Sequence, residues 1–409
     1  MNKTVSLLIV SLLGLAVLFS VTNKSDDIVI VIGDEPLAEL PVEEIHSIHI
    51  ESIDDMDQAI KTLHLKRGEK QWLVANEQDY PADSDRILRF INNFIDMKVL
   101  REVSASKTQL GRLHLAEPSK GTTNAATRVI LGGKDKPMHV LMLGKEITGP
   151  KDDTANRSPF GGGNFPDRRF VMIDGKHTSI TVVDQTFSSA NPDPSDWLNK
   201  EFFKVENPTR IAVTYHGDQS TNSWSIVKQD VNGTAQWGFE GGLVQKDQLD
   251  ESKIPSTPFT APSFDALATD QQAKLIDENA TQVKIDTQLG VQYSIAISPK
   301  IDGAYFLKLS VNNTRPEKRS PGEDESDEEK KLLDDQWAAD TKAAESKLTT
   351  EKKFTQRIYK VPTFTVDSVL KNRLDLIASE DNGAIQPPGG GADGIPQFNL
   401  PNFPPNPGN

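Results

Sequence analysis

A chain of 409 residues is long enough for two ordinary domains with tails. Its 36% hydrophobic content is diluted by two polar stretches, 315–353 and the region after residue 383. A formal net charge of −14 argues against nucleic acid as a partner, and the absence of cysteine removes disulfides, thiolate metal sites, cysteine nucleophiles and a lipid-modified N-terminal cysteine.

Residues 4–21, TVSLLIVSLLGLAVLFSV, carry no charge. At about 1.5 Å per residue they make roughly 27 Å of helix, enough to cross a hydrocarbon core. Lys3 precedes them, so the positive-inside rule puts the rest of the chain outside the cytoplasm. A cleaved signal peptide is the rival reading, but residues 19–23 offer no small-x-small cleavage site, and an uncleaved anchor is expected. The expected topology is a single membrane crossing with the bulk of the chain extracytoplasmic. The expected organisation is an anchor over 1–22 and a stalk over 23–44. A first α+β module over 45–205 and a second over 206–382 follow. An acidic helical insert occupies 315–353, and 383–409 form a disordered Pro/Gly-rich tail.

In the first module, period-2 alternation predicts strands over 45–50 and 62–66, with a turn over 67–70 leading into Trp72-Leu73-Val74. After Tyr80-Pro81, either Asp83 or Ser84 can cap a helix whose apolar residues Ile87, Phe90, Ile91, Phe94 and Ile95 recur at helical spacing. Strands are predicted over 128–131, 139–143, 170–173 and 180–183, then a short capped helix over 192–197. The order then begins again, with strands over 210–215, 224–227 and 237–239. Ile48 and Val213 stand 165 residues apart, as do Trp72 and Trp237, which suggests a tandem duplication of one largely antiparallel unit. A short helix over 263–268, strands over 291–297, 304–311 and 356–361, and a helix over 366–377 complete the second copy. In this alignment the strand over 356–361 matches that over 170–173. The Gly/Pro/Asp loop over 147–169 and the charged insert over 315–353 then stand at corresponding places.

Within the insert, residues 330–353 read as helix with Leu333, Trp337, Ala344 and Leu348 near one side. This is either a solvated arm with a thin apolar stripe or a partner-binding helix, in which case Leu333, Trp337 and Leu348 are the contact residues.

Motifs for chemistry are missing. There is no G-x-S-x-G, H-E-x-x-H or complete phosphate loop, and Leu131-Gly132-Gly133-Lys134 reads as a hairpin turn. The glycines at 161–163 lie in a loop without strand-to-helix context. His46 and His49 point to opposite faces of a strand, and no carboxylate completes a metal set with His49 and His64. Asp83 and Asp85 are accounted for by helix capping. No catalytic, cofactor or metal residue is expected.

The stretch WLVANEQDYPADSDRILRFINNFIDMKVLREVS, from Trp72, with LGRLHLAEPS at 110–119, resembles a bacterial family carried as a domain of unknown function. The shared pattern is a Trp strand, a Tyr-Pro-Ala-Asp corner, an amphipathic helix and a Leu-Gly-x-Leu-x-Leu…Pro element. The resemblance is clearest over 45–205 and fades beyond. Leu113-His114-Leu115 departs from the family's more common Gly-Leu. The resemblance implies a single N-terminal helix in a bacterial cytoplasmic (inner) membrane, a setting beside gliding-motility-type ABC transporter subunits, and an accessory role; it carries over no catalytic residue. The resulting expectation is a non-enzymatic extracytoplasmic scaffold associated with an ABC-type transporter. The rival is an envelope carbohydrate-binding or carbohydrate-processing protein that exposes Trp, Tyr and carboxylates.

Overall fold

Alternating side chains build the first sheet. In β1 (Ser47–Ile53), Ile48 and Ile50 are buried while His49 and Glu51 face the other side. The computed structural model describes residues 31–54, 56–119, 121–148, 165–241, 249–255, 258–276, 279–322 and 325–377. The apolar segment 4–21, stalk residues 23–30, loop residues 149–164, Glu323 and Asp324 of the acidic run, and the tail 383–409 lie outside these. Among the described residues no helix is long and apolar enough to cross a membrane.

The first sheet continues with β2 (Ile60–Arg67), β3 (Trp72–Val74), β4 (Tyr80–Pro81), β5 (Val99–Val103), β6 (Thr127–Gly132), β7 (Pro137–Ile147), β8 (Arg168–Ile173) and β9 (Ile180–Val183). Their spatial order is β4-β3-β2-β1-β6-β7-β8-β9-β5. The second sheet contains β10 (Pro208–Thr214), β11 (Trp224–Val231), β12 (Thr234–Phe239), β13 (Ala266–Leu267), β14 (Thr281–Thr287), β15 (Val291–Ile297), β16 (Ala304–Asn313) and β17 (Ile358–Pro362), in the order β12-β11-β10-β14-β15-β16-β17-β13. Neighbouring strands pair antiparallel in both. With the extra edge strand β4 removed, the two orders coincide strand for strand. A local detail also recurs. Arg67 lies opposite Trp72 in the β2/β3 register, and Lys228 lies opposite Trp237 in β11/β12. Each cation sits over its indole, at 5.3 and 5.2 Å from the ring centroid.

This order corrects the expected alignment of the late strands. β17 occupies the place of β9, and β16 that of β8. The insert 315–353 therefore joins equivalents of β8 and β9, which a tight turn connects in the first sheet. The Gly/Pro/Asp loop instead joins β7 to β8. The misalignment comes from β14, TQVKIDT, whose polar residues mask the inward alternation of Val283, Ile285 and Thr287.

Helix α1 (Ser84–Ile95) begins where Asp83 accepts the Arg86 N–H at 2.9 Å, and it buries Ile87, Phe90, Ile91 and Phe94. The expected helix over 263–268 is not formed. Asp265 and Ala268 donate instead to Lys360 and Ile358 carbonyls as β13 pairs with β17, and the helix is only the short α2 (Asp270–Ala273). The expected helix over 366–377 is broken into α4 (Thr363–Val366) and a 3-10 turn, Arg373–Leu376. Between them the Lys371 carbonyl accepts from the Trp224 indole (2.7 Å) and the Tyr215 hydroxyl (3.2 Å), so it points at side chains rather than along a helix. The insert forms α3 (Asp327–Glu351), opened by a capping box between Ser326 and Glu329.

One hydrophobic core runs through both sheets, from Leu37 to Leu376. A smaller cluster around Met142, Phe170 and Met172 lies on the outer face of the first sheet, packed against Leu110 and Leu113 of a 3-10 turn. There a Cβ on Gly144 would overlap the Leu113 carbonyl oxygen, so glycine lets that turn approach the strand.

Candidate functional site at the joint between the sheets

The segment after Trp197 passes from one sheet to the other. Asn199 N–H donates to the Pro81 carbonyl of the first sheet, and Val205 N–H to the Phe259 carbonyl on the second side. Phe202 and Phe203, too apolar for an exposed linker, turn into the shared core. Phe202 packs against Phe264 (5.0 Å), Tyr359 (4.7 Å) and Phe354 (5.5 Å). The β3/β4 register, with Tyr80 opposite Val74, points Tyr80 into the same cluster. Only 4% exposed, Tyr80 makes edge contacts with Tyr359 of the second sheet and with Phe264, which precedes β13. The Tyr-Pro corner is thus the seam between the two sheets.

A cavity of about 240 Å³ opens beside this seam. Tyr80, Pro81 and Phe354 form its apolar side, and Gln71, Asn199 and Gln356 bring amides to it. Its charged groups are Glu201, Lys353 and Arg357. Lys353 Nζ lies 2.9 Å from Glu201 Oε2. Arg357 places its guanidinium 5.2 Å from the Tyr80 ring centroid and donates from Nη2 to the Gln78 carbonyl at 3.1 Å. Among the described residues its buried Nε–H has no acceptor. Burial pushes the Tyr80 and Tyr359 phenols above the ordinary tyrosine range. On the other side of the segment, Lys200 donates to the Phe264 and Asp265 carbonyls, and burial lowers its ammonium. Burial, helped by Asp193, raises Glu77.

The three residues expected at a partner surface are divided by the fold. Leu348 packs against the shared core. Trp337 is half-buried, its ring 3.8 Å from the Arg315 guanidinium, which also pairs with Asp340 at 3.3 Å. Leu333 is 41% exposed, beside Leu332 at 70%. The outward-facing apolar surface of α3 is therefore its first half. Trp72 is buried, and Trp237 is half-buried under Lys228, so neither presents an open indole face.

His49 and His64 stand directly opposite each other, rings stacked at 3.8 Å, while His46 Nδ1 lies 2.8 Å from the Glu44 carbonyl. Among the described residues no group of three or more His, Asp or Glu is placed to hold a metal ion. Burial, then the His64 and Arg128 charges, lowers His49 to about 3. The unfolded chain therefore takes up this proton first, near pH 6.5, and the stability present above that pH is lost as pH falls toward 3. Lowering the pH from 7 to 5 is expected to cost about 2 kcal/mol at this residue. Urea denaturation at both pH values checks this; because burial lowers His64 as well, His49→Gln should reduce the dependence without abolishing it. Carboxylates held below their usual range, such as Glu206 and Glu240, titrate below this window.

Sequence reasoning missed the joint. Phe202, Phe264, Arg357 and Tyr359 come from four separate segments, and only the Phe202-Phe203 pair at a module boundary signalled buried surface. The sequence model of a domain of unknown function, DUF4340, matches residues 72–278, slightly over half of the chain. The match opens on Trp72 and runs through the joint into the second sheet. No curated protein and no solved structure matches.

Proposed function

The chain belongs to the DUF4340 family, and from that starting point we propose that it is a non-enzymatic, membrane-anchored extracytoplasmic accessory protein of an ABC-type transporter complex. Residues 4–21 hold it in a bacterial cytoplasmic membrane, and two copies of one α+β unit stand outside as a single piece. The observation that carries this reading is the joint. Two sheets of matching strand order share one core, and aromatic groups from both sides are spent on holding them together. A structure of this kind sets a fixed distance and orientation, which is what a scaffold contributes. The resemblance to proteins encoded beside transporter subunits supplies the partner class, and the exposed first half of α3 offers a contact surface.

The test is purification of the tagged full chain from mild-detergent extracts of its native membranes, with co-purifying chains identified by mass spectrometry. Stoichiometric ABC transporter subunits are expected. Leu332→Glu combined with Leu333→Glu, both on exposed positions, should release them without unfolding the chain. Intact protein that emerges alone would end the transporter reading.

A further inference from the structure

The cavity at the joint has more polar capacity than holding two sheets together requires. Among the described residues its only lining carboxylate, Glu201, is paired to Lys353, and no carboxylate pairs with Arg357. The guanidinium is held by one backbone carbonyl and one ring face, and its Nε–H lacks an acceptor. Buried guanidinium donors are ordinarily matched by carboxylate or phosphate. The local balance is thus one unmatched positive charge beside an apolar floor. Gln71 and Gln356 add side-chain amides that make no hydrogen bond among the described residues, and each offers a donor and an acceptor.

We propose that this cavity binds a single sugar-acid unit, a hexuronate, with its carboxylate on Arg357 and its hydroxyls on the amides of Gln71 and Gln356. The composition selects this class. A guanidinium calls for an acidic group, paired amides suit hydroxyls that both donate and accept, and Tyr80, Pro81 and Phe354 suit the apolar face of a sugar ring. Size agrees, because 240 Å³ falls below the roughly 300–1,000 Å³ of sites that enclose drug-sized ligands. The cavity takes one ring rather than a chain of them. Its place between two structural units is where small-molecule sites concentrate. The proposal goes beyond the accessory role and does not depend on it.

The test is titration of the purified full chain with sodium glucuronate, followed by calorimetry and ligand-observed NMR, with glucose as the neutral control. Saturable millimolar binding of glucuronate is expected, with glucose weaker by about tenfold or more, the equivalent of one charge-assisted hydrogen bond. Arg357→Gln should weaken glucuronate by a similar factor. Because Arg357 also holds the Gln78 carbonyl, the solvent-exposed Gln356→Ala provides a second variant, expected to weaken binding several-fold with unchanged thermal stability. No saturable binding, equal binding of glucose and glucuronate, or affinity indifferent to both substitutions would each overturn the assignment.

Discussion

Trp197→Ala is expected to lower the stability of the folded chain by about 3–5 kcal/mol, the range for emptying a buried aromatic site. The residue is 0% exposed and sits at the end of the first sheet's unit. Its ring meets Phe90 of α1 edge-on at 5.2 Å, and the Arg86 guanidinium lies 4.7 Å from the ring centroid. Its indole N–H donates to the Asn191 carbonyl at 2.8 Å, and its own carbonyl receives the Asp83 N–H at 2.8 Å. One residue thus fills the space under α1 and ties down the cap that starts the helix. A domain's whole stability is about 5–15 kcal/mol, so the substitution removes a large part of it. Trp197→Phe keeps a ring against Phe90 and loses the indole donor, and should cost about 1–2 kcal/mol. Urea denaturation of both variants checks the pair. A cost below about 1 kcal/mol for the alanine would mean that α1 is held by Phe94 and Phe187 instead.

Legibility followed the range of the interactions. α1 was readable because its cap, its helical spacing and its buried face all lie within one stretch of chain, and each points the same way. β1, β10 and β15 were readable because strict alternation survives in them. β14 was not, because lysine and aspartate on its solvent side interrupt the apolar pattern, and losing it shifted every later strand by one place. The helices expected over 263–268 and 366–377 failed for a different reason. Ladder bonds to β17 claimed the first, and side-chain donors from Tyr215 and Trp224 claimed the carbonyl at the middle of the second. The candidate site was least visible of all. Its cavity brings together Gln71, Asn199 and Arg357 from distant parts of the chain, and no local pattern encodes such a meeting.

Glu351→Ala is the second substitution expected to have a large effect, about 3 kcal/mol, the low end of what breaking a buried ion pair costs. Glu351 closes α3 and is 4% exposed. Its Oε1 accepts the Lys204 N–H at 3.0 Å and lies 3.1 Å from Lys347 Nζ. The Lys204 carbonyl in turn receives the buried Tyr293 hydroxyl at 3.1 Å. One carboxylate therefore fastens the helix end to the connecting segment one residue before Val205 enters the second core, on a strand floor that Tyr293 supplies. Removing it leaves the part-buried Lys204 N–H without its acceptor, while Lys347 keeps Glu206 at 2.9 Å, which is why the low end applies. Glu351→Gln retains an acceptor for Lys204 and should lose less. Lys347→Ala should be strongly non-additive with either change, because the three groups share one network. Hydrogen exchange separates the two ways the helix could respond. If Glu351 is the fastening point, Glu351→Ala raises exchange in the second half of α3 and in residues 200–206 together, and the insert acts as a brace on the joint. If exchange rises in α3 alone, the helix rests on the sheet through Ala344 and Leu348, and the joint holds without it.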